Sequence, residues 1–282
     1  MTRKAGKREP ASIYAVTSGK GGVGKTNIVL NLAIAFAEGG RDVLVLDADL
    51  GLANMDVLLG LRPIHTLADV LLNQCSVAEA LVEGPRGVKI LPADSAHADF
   101  SRLGAGEMMH IFSLMRQLQG EAETILIDTA SGISSNVRFF SSFAREILLI
   151  VTPEPTSITD AYATMKVLHR TNGEHNFKLM INLVDSQEQG LEVYRTLSRA
   201  TEHFLRFTPG YAGSVCRDRN VERAVRLQTP LLVLHPDTQA SRNIRSVAER
   251  LLSDAVAARP DVQGGTPSGE FSPSCSLAGS RV

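Results

Sequence analysis

Hydrophobic positions along the chain follow two rhythms. Runs that are apolar at nearly every position predict strands: SIYAVTS (12–18), DVLVLDAD (42–49), GVKILPA (87–93), ETILIDTA (123–130), REILLIVTP (145–153), FKLMINLV (177–184) and GYAGSVC (210–216). Between them, apolar residues three and four apart predict helices over 25–38, 66–72, 76–82, 106–119, 157–170, 190–205, 220–228 and 240–258. The first helix should stop at Gly39 and Gly40, and Ser76 with Glu79 has the form of a capping box. PLLVLHP (230–236) reads as a brief extended piece. Strand and helix alternate throughout, and the strands carry no polar face. The expected fold is therefore α/β, one domain with a mostly parallel central sheet and helices on both faces. Its expected bounds are 12–258, between a basic tail at 1–11 and a Gly/Ser/Pro-rich tail at 259–282, both read as disordered.

Composition narrows the function classes. The chain has 282 residues and a formal net charge of −1, which argues against nucleic-acid binding through the whole surface. Its three cysteines, Cys75, Cys216 and Cys275, are far apart, which fits a reducing cytosol and no metal cluster. The basic N-terminus is followed by no apolar stretch of a secretory signal, and no run approaches the roughly 20 apolar residues of a membrane span. The expectation is a cytoplasmic protein.

The chemistry starts at GKGGVGKT (19–26), which fits G-x-x-x-x-G-K-[ST] and stands between a strand and a helix. Gly19, Gly21, Gly22, Val23 and Gly24 let backbone N–H groups turn toward phosphate oxygens, and the helix beginning near Lys25, Thr26 and Asn27 adds its positive end. Lys25 is expected on the β- and γ-phosphates and the Thr26 hydroxyl on Mg²⁺, so the implied ligands are ATP and Mg²⁺. Asp47 and Asp49 fall at the end of the second strand, and Asp128 ends an apolar strand in the Walker B manner, placed to hold a Mg²⁺-bound water. Alternation points Asp47 and Asp49 the same way, so both can face the nucleotide; the alternative for Asp47 is a strand-end residue that caps a turn. Asn182 ends a late strand, where its amide can both donate to and accept from an adenine edge.

Together these residues resemble the MinD/ParA group of deviant-Walker ATPases, from about residue 13 to 252, with KGGVGKT as the group's specific signature. The resemblance implies that the second lysine of the loop, Lys20, reaches the ATP of the other subunit in a face-to-face homodimer. A lysine that only neutralises phosphate in its own subunit is the rival reading. It implies that Asp49 is the catalytic aspartate that orients water and supports the metal, and that Asn54 helps hold that water, an ordinary Asx-turn being the alternative. Arg217 and Asp218 fall where the group's adenine-side loop reads V-P-x-D, with Cys216 in place of the proline; Asp218 reads equally as a cap on the following helix.

Within the group, DADLGLANMDVLLGL, TLADVL, LIDTASGI and above all PEPTSITDAYATMKVLHR are most similar to the FlhG/FleN regulators of flagellar number and placement. This implies a slow, dimer-dependent ATPase whose partner is a GTPase of the FlhF type or a flagellar transcription regulator. Ser157 or Thr159 is expected to cap the SITDAY helix, with Asp160 favouring its N-terminal dipole. A ParA-like ATPase that partitions DNA or another cargo is the alternative, and the short basic tail argues against direct DNA binding. Two departures stand out. The N-terminus lacks the D-Q-A-x-x-L-R-type motif, and the C-terminus lacks a clear amphipathic targeting helix, so peripheral attachment to the inner membrane stays open.

Overall fold

The structure, a computed structural model, describes residues 11–49, 54–93, 105–174 and 176–257. The expected tails, Phe271, Leu277 and Cys275 included, lie outside the described residues, apart from Ala11. In chain order the elements are β1 (Ser12–Ser18), α1 (Lys25–Glu38), β2 (Val43–Ala48), α2 (Met55–Leu59), α3 (Leu67–Leu71), α4 (Val77–Ala80), β3 (Val82–Glu83), β4 (Lys89–Leu91), α5 (Ala105–Glu121), β5 (Thr124–Ser131), α6 (Ser135–Ser141), β6 (Glu146–Val151), α7 (Pro155–Asn172), β7 (Phe177–Val184), α8 (Gln187–Leu205), β8 (Gly210–Cys216), α9 (Arg219–Arg226), α10 (Leu231–Leu234) and α11 (Gln239–Ala257). The strands form one sheet in the order β3-β4-β2-β5-β1-β6-β7-β8. All described pairs are parallel except β3 with β4.

The uniformly apolar strands are explained by burial on both faces. Alternate residues point to opposite sides. Tyr14, Val16, Val43, Val45, Leu126 and Leu148 join a core with α1, α10 and α11. Their neighbours Ile13, Leu44, Leu46, Ile125 and Ile127 pack under α5, and Ala15, Ile147, Leu149 and Leu179 under α7 and α8. Because the central strands are parallel, their C-terminal ends share one rim. The chain leaves β1 toward β2 on one side and later toward β6 on the other. That reversal opens a crevice at the C-terminal end of β1, where such sheets bind ligands.

Three local expectations change. PLLVLHP is not extended; Leu231–Leu234 forms a helical turn whose Leu232 N–H donates to Asn31 Oδ1 of α1 (2.9 Å), so a tertiary partner decides its conformation. Neither Ser157 nor Thr159 caps α7. That helix opens earlier, with Pro155 in its first turn. The Ser157 hydroxyl accepts from the Thr152 N–H (3.0 Å), and Thr159 donates to the Pro155 carbonyl (3.0 Å). Asp160 lies beyond the first turn, past the reach of the dipole. The capping box of Ser76 and Glu79 is formed.

The amphipathic C-terminal stretch is spent inside the protein. Ile244, Val247, Ala248 and Leu251 of α11 are buried in the core shared with α1, and Arg245 pairs with Glu38 (2.8 Å). No helix among the described residues is long and apolar enough to cross a membrane.

Candidate functional site

The crevice at the end of β1 is a cavity of about 360 Å³ lined by Ser18, Gly21, Gly22, Gly24, Lys25, Thr26, Asn27, Asp49, Asn54, Val57, Leu58 and Ser131. It joins the glycine loop, the segment after β2 and the end of β5. The loop's shape is set by close approach. A Cβ on Gly19 would collide with the backbone of Asp160 and Ala161 in α7, so only glycine lets β1 feed the loop past that helix. Gly24, in the left-handed region (φ 86°), then starts α1.

Lys25 is 7 % exposed and donates to Asp128 Oδ1 (2.5 Å); Asp49 Oδ2 stands 3.8 Å away. Asp47 and Asp128 are register partners on β2 and β5, which places their carboxyls side by side beneath the loop. Asp47 is buried, and its Oδ1 accepts the Asp49 N–H (3.1 Å). Both early readings of Asp47 thus meet in one residue: it turns the strand end and lies under the site. Asp49, beyond the last residue of β2, is the one that lines the cavity.

The electrostatics follow from burial. Burial pushes the Asp128 carboxyl above the ordinary carboxylate range, while Lys25 and Thr26 pull the other way. Burial, with the adjacent Asp128 charge, pushes Asp47 up to about 8. In the unfolded chain Asp47 sheds its proton near 4; in the fold it keeps it until about 8. The folded state therefore holds the extra proton across that window, and stability without nucleotide falls as pH rises through it. Asp47→Asn should flatten this decline and be the more stable protein at pH 8, as read by urea unfolding from pH 5 to 8. An unchanged slope would show that Asp47 is ionised in the fold.

Asp128 Oδ2 is buried and has no hydrogen-bond partner among the described residues. An acceptor left in this state is costly unless a ligand completes it. Thr26, which lines the cavity, interacts with the Asp128 carboxyl beneath it, and the two offer an all-oxygen donor pair that suits Mg²⁺.

The other candidates sit around this centre. Asn182 is buried, and its amide donates to the Val23 carbonyl (2.8 Å), so it braces the glycine loop from below. Asn54 starts α2 on the cavity wall with no side-chain cap bond, which removes the Asx-turn alternative. Asp218 caps α9, accepting from the Asn220 N–H (2.9 Å). Lys20 points away from the cavity. Its side chain is 40 % exposed, and its ammonium donates to Glu154 Oε2 (2.7 Å) and Thr156 Oγ1 (3.1 Å) at the start of α7. Sequence reasoning did not connect Glu154 and Thr156 with Lys20. They lie 134 and 136 residues away, and only the β1–β6 pairing brings them together.

Comparison with known proteins agrees with this geometry. The family model for the CobQ/CobB/MinD/ParA nucleotide-binding domain matches residues 14–231. The chain is 40% identical over 258 residues to the antiactivator FleN of Pseudomonas aeruginosa, covering 92% of each protein. It is 30% identical over 240 residues to the flagellum site-determining protein YlxH of Helicobacter pylori, covering 85% of this chain and 81% of that one. In structure it resembles the septum site-determining protein MinD of Pyrococcus horikoshii, solved with Mg-ADP. The TM-score is 0.71 at 23% identity, over 88% of this chain and 98% of the other.

Proposed function

Because the chain belongs to the CobQ/CobB/MinD/ParA nucleotide-binding family, an ATPase family that uses ATP and Mg²⁺, we propose that it is an ATP-driven dimerisation switch that sets flagellar number or placement. The observation that carries this reading is 40% identity to the antiactivator FleN over 92% of both chains, with the two-lysine loop present in this chain. In this reading the N–H groups of Gly21, Gly22 and Gly24 and the Lys25 ammonium hold the phosphates. Lys25 lies ready because Asp128 and Asp49 fix it at the cavity floor. Thr26 and Asp128 would hold Mg²⁺, which supplies charge neutralisation on the phosphates when bound. Asp49, at the cavity edge, orients the attacking water. Lys20 serves the site of the second subunit, where a cation meets charge developing on the transferred phosphoryl group.

The switch works by population. Contacts to the γ-phosphate that exist only in the dimer shift the monomer–dimer balance, and hydrolysis removes them. The partner read from the flagellar relatives is a GTPase of the FlhF type or a flagellar transcription regulator, and the place of action is the cytoplasm or the inner face of the membrane.

Light-scattering mass with ATP and with ADP tests the mechanism. The wild type should be monomeric in ADP. Asp49→Ala should form a long-lived ATP dimer whose turnover is lower by about 10²-fold or more, as for loss of a positioned acid–base group. Deleting the gene and counting flagella tests the biological role. Normal number and placement would refute the flagellar reading and leave the ATPase intact.

A further inference from the structure

We propose that Gln228 is a positioning residue for ATP hydrolysis: its side-chain amide ties the end of α9 to α2 and so fixes the cavity wall that carries Asn54, Val57 and Leu58. The inference deepens the ATPase reading and rests on hydrolysis at this cavity.

The observation begins with an unfavourable backbone. Gln228 has φ 49°, in the left-handed region that penalises side chains with a Cβ. It is the reversal residue after α9: its N–H donates to the Val225 carbonyl (3.0 Å) and the Thr229 N–H to the Ala224 carbonyl (3.1 Å). Helix ends of this form favour glycine. The chain supplies Gly40, Gly60 and Gly173 after α1, α2 and α7, and Asn73 after α3, all with positive φ. Arg206 after α8 and Gln228 after α9 carry long side chains instead.

The Gln228 side chain is put to use. Its Nε2 donates to the Val57 carbonyl of α2 at 2.7 Å, across 171 residues. Val57 is one of the last carbonyls of α2, which has no continuing helix to satisfy it. Among the described residues the other donor to that carbonyl is the Gly60 N–H, at 3.3 Å. Gly60 (φ 62°) leaves room for the contact; a Cβ there would come to 3.3 Å from Gln228 Oε1. Two reversed helix ends are thus docked, the glycine of one beneath the glutamine of the other.

The contact matters because of what α2 is. It has five residues, too few to be stable as an isolated helix. Buried Met55 and the partly buried Leu58 and Leu59 hold it on the core, and Gln228 holds its far end. Its Asn54, Val57 and Leu58 line the cavity, and it begins a few residues after Asp49. Loosening that end moves the wall beside the aspartate without touching Lys25 or the loop that binds phosphate. The signature is a fall in kcat at nearly constant KM.

Gln228→Gly separates positioning from stability, since it removes the amide and relieves the backbone together. Its unfolding midpoint should stay near that of the wild type, while kcat falls several-fold and KM for ATP changes less than twofold. Hydrogen exchange of the Leu58, Gly60 and Leu61 amides should quicken in the protein without nucleotide, a readout independent of hydrolysis. Gln228→Glu, which keeps the shape but offers no donor to the Val57 carbonyl, should lower kcat in the same way. Unchanged kcat in both variants, unchanged exchange at α2, or kcat that falls only in proportion to the midpoint would overturn the proposal. A wild type with no ATP turnover but faster exchange in Gln228→Gly would refute the ATPase reading while keeping the α9–α2 tie.

Discussion

Lys20→Ala should lower ATP turnover by about 10³-fold or more, the scale of a cation supplied to phosphoryl transfer from a second subunit. Phosphate binding should survive, because Lys25, Thr26 and the loop amides are untouched. The structure shows Lys20 held by Glu154 and Thr156 at the mouth of α7 rather than in its own cavity. Lys20 and Glu154 are both exposed, and such pairs contribute little and are easily exchanged. The lysine can therefore leave Glu154 for a phosphate presented across a dimer. Mixing variants gives a decisive measurement. Lys20→Ala and Asp49→Ala should each turn over little ATP alone. If Lys20 acts in trans, a mixed dimer has one complete site, built from the intact Asp49 of one subunit and the intact Lys20 of the other. Turnover should then return on mixing. No recovery, with dimers present by light scattering, would place Lys20 in its own subunit.

Much of this architecture is legible in the sequence because its signals are local. Buried parallel strands need apolar residues on both faces, so β1 and β7 can be read to the residue from composition. The glycine loop is legible because backbone approach to phosphate leaves so few alternatives. What stays hidden is what depends on distant partners. The helical turn at Leu231–Leu234 is decided by Asn31, about 200 residues earlier. β3 has two residues and exists only because β4 pairs with it. α2 and α6 are short and carry no periodicity long enough to register. In the site, alternation suggests that Asp47 and Asp49 do the same work. The strand in fact ends at Ala48, so Asp47 stays in the sheet beside Asp128 while Asp49 turns out to the cavity. The bond from Asn182 to Val23 is also non-local, across 159 residues, and gives a residue expected at adenine a role beneath the phosphate loop.

Asp128→Ala should cost the nucleotide-free protein about 3–5 kcal/mol, the usual result of removing one partner from a buried ion pair. Lys25 is 7 % exposed, and its remaining carboxylate, Asp49, is 3.8 Å away and more exposed, so the lysine charge would be left nearly uncompensated. For a domain of this size the loss corresponds to a midpoint lower by about 10 °C. Asp128→Asn keeps an acceptor for the Lys25 ammonium and should lose less. The two variants should agree in a second respect. Ligand binding stabilises the wild type by about 2.7 kcal/mol at a concentration 100 times Kd. If Asp128 holds Mg²⁺, part of that gain for Mg-ATP should come through its Oδ2, a buried oxygen with no hydrogen-bond partner among the described residues. Thermal unfolding with ATP, in Mg²⁺ and in chelator, should show a Mg²⁺-dependent rise in the wild type and a much smaller one in both variants. Equal rises in all three would remove Asp128 from the metal site. A wild-type midpoint matched by Asp128→Ala would show that the Lys25–Asp128 contact does not stabilise the nucleotide-free fold.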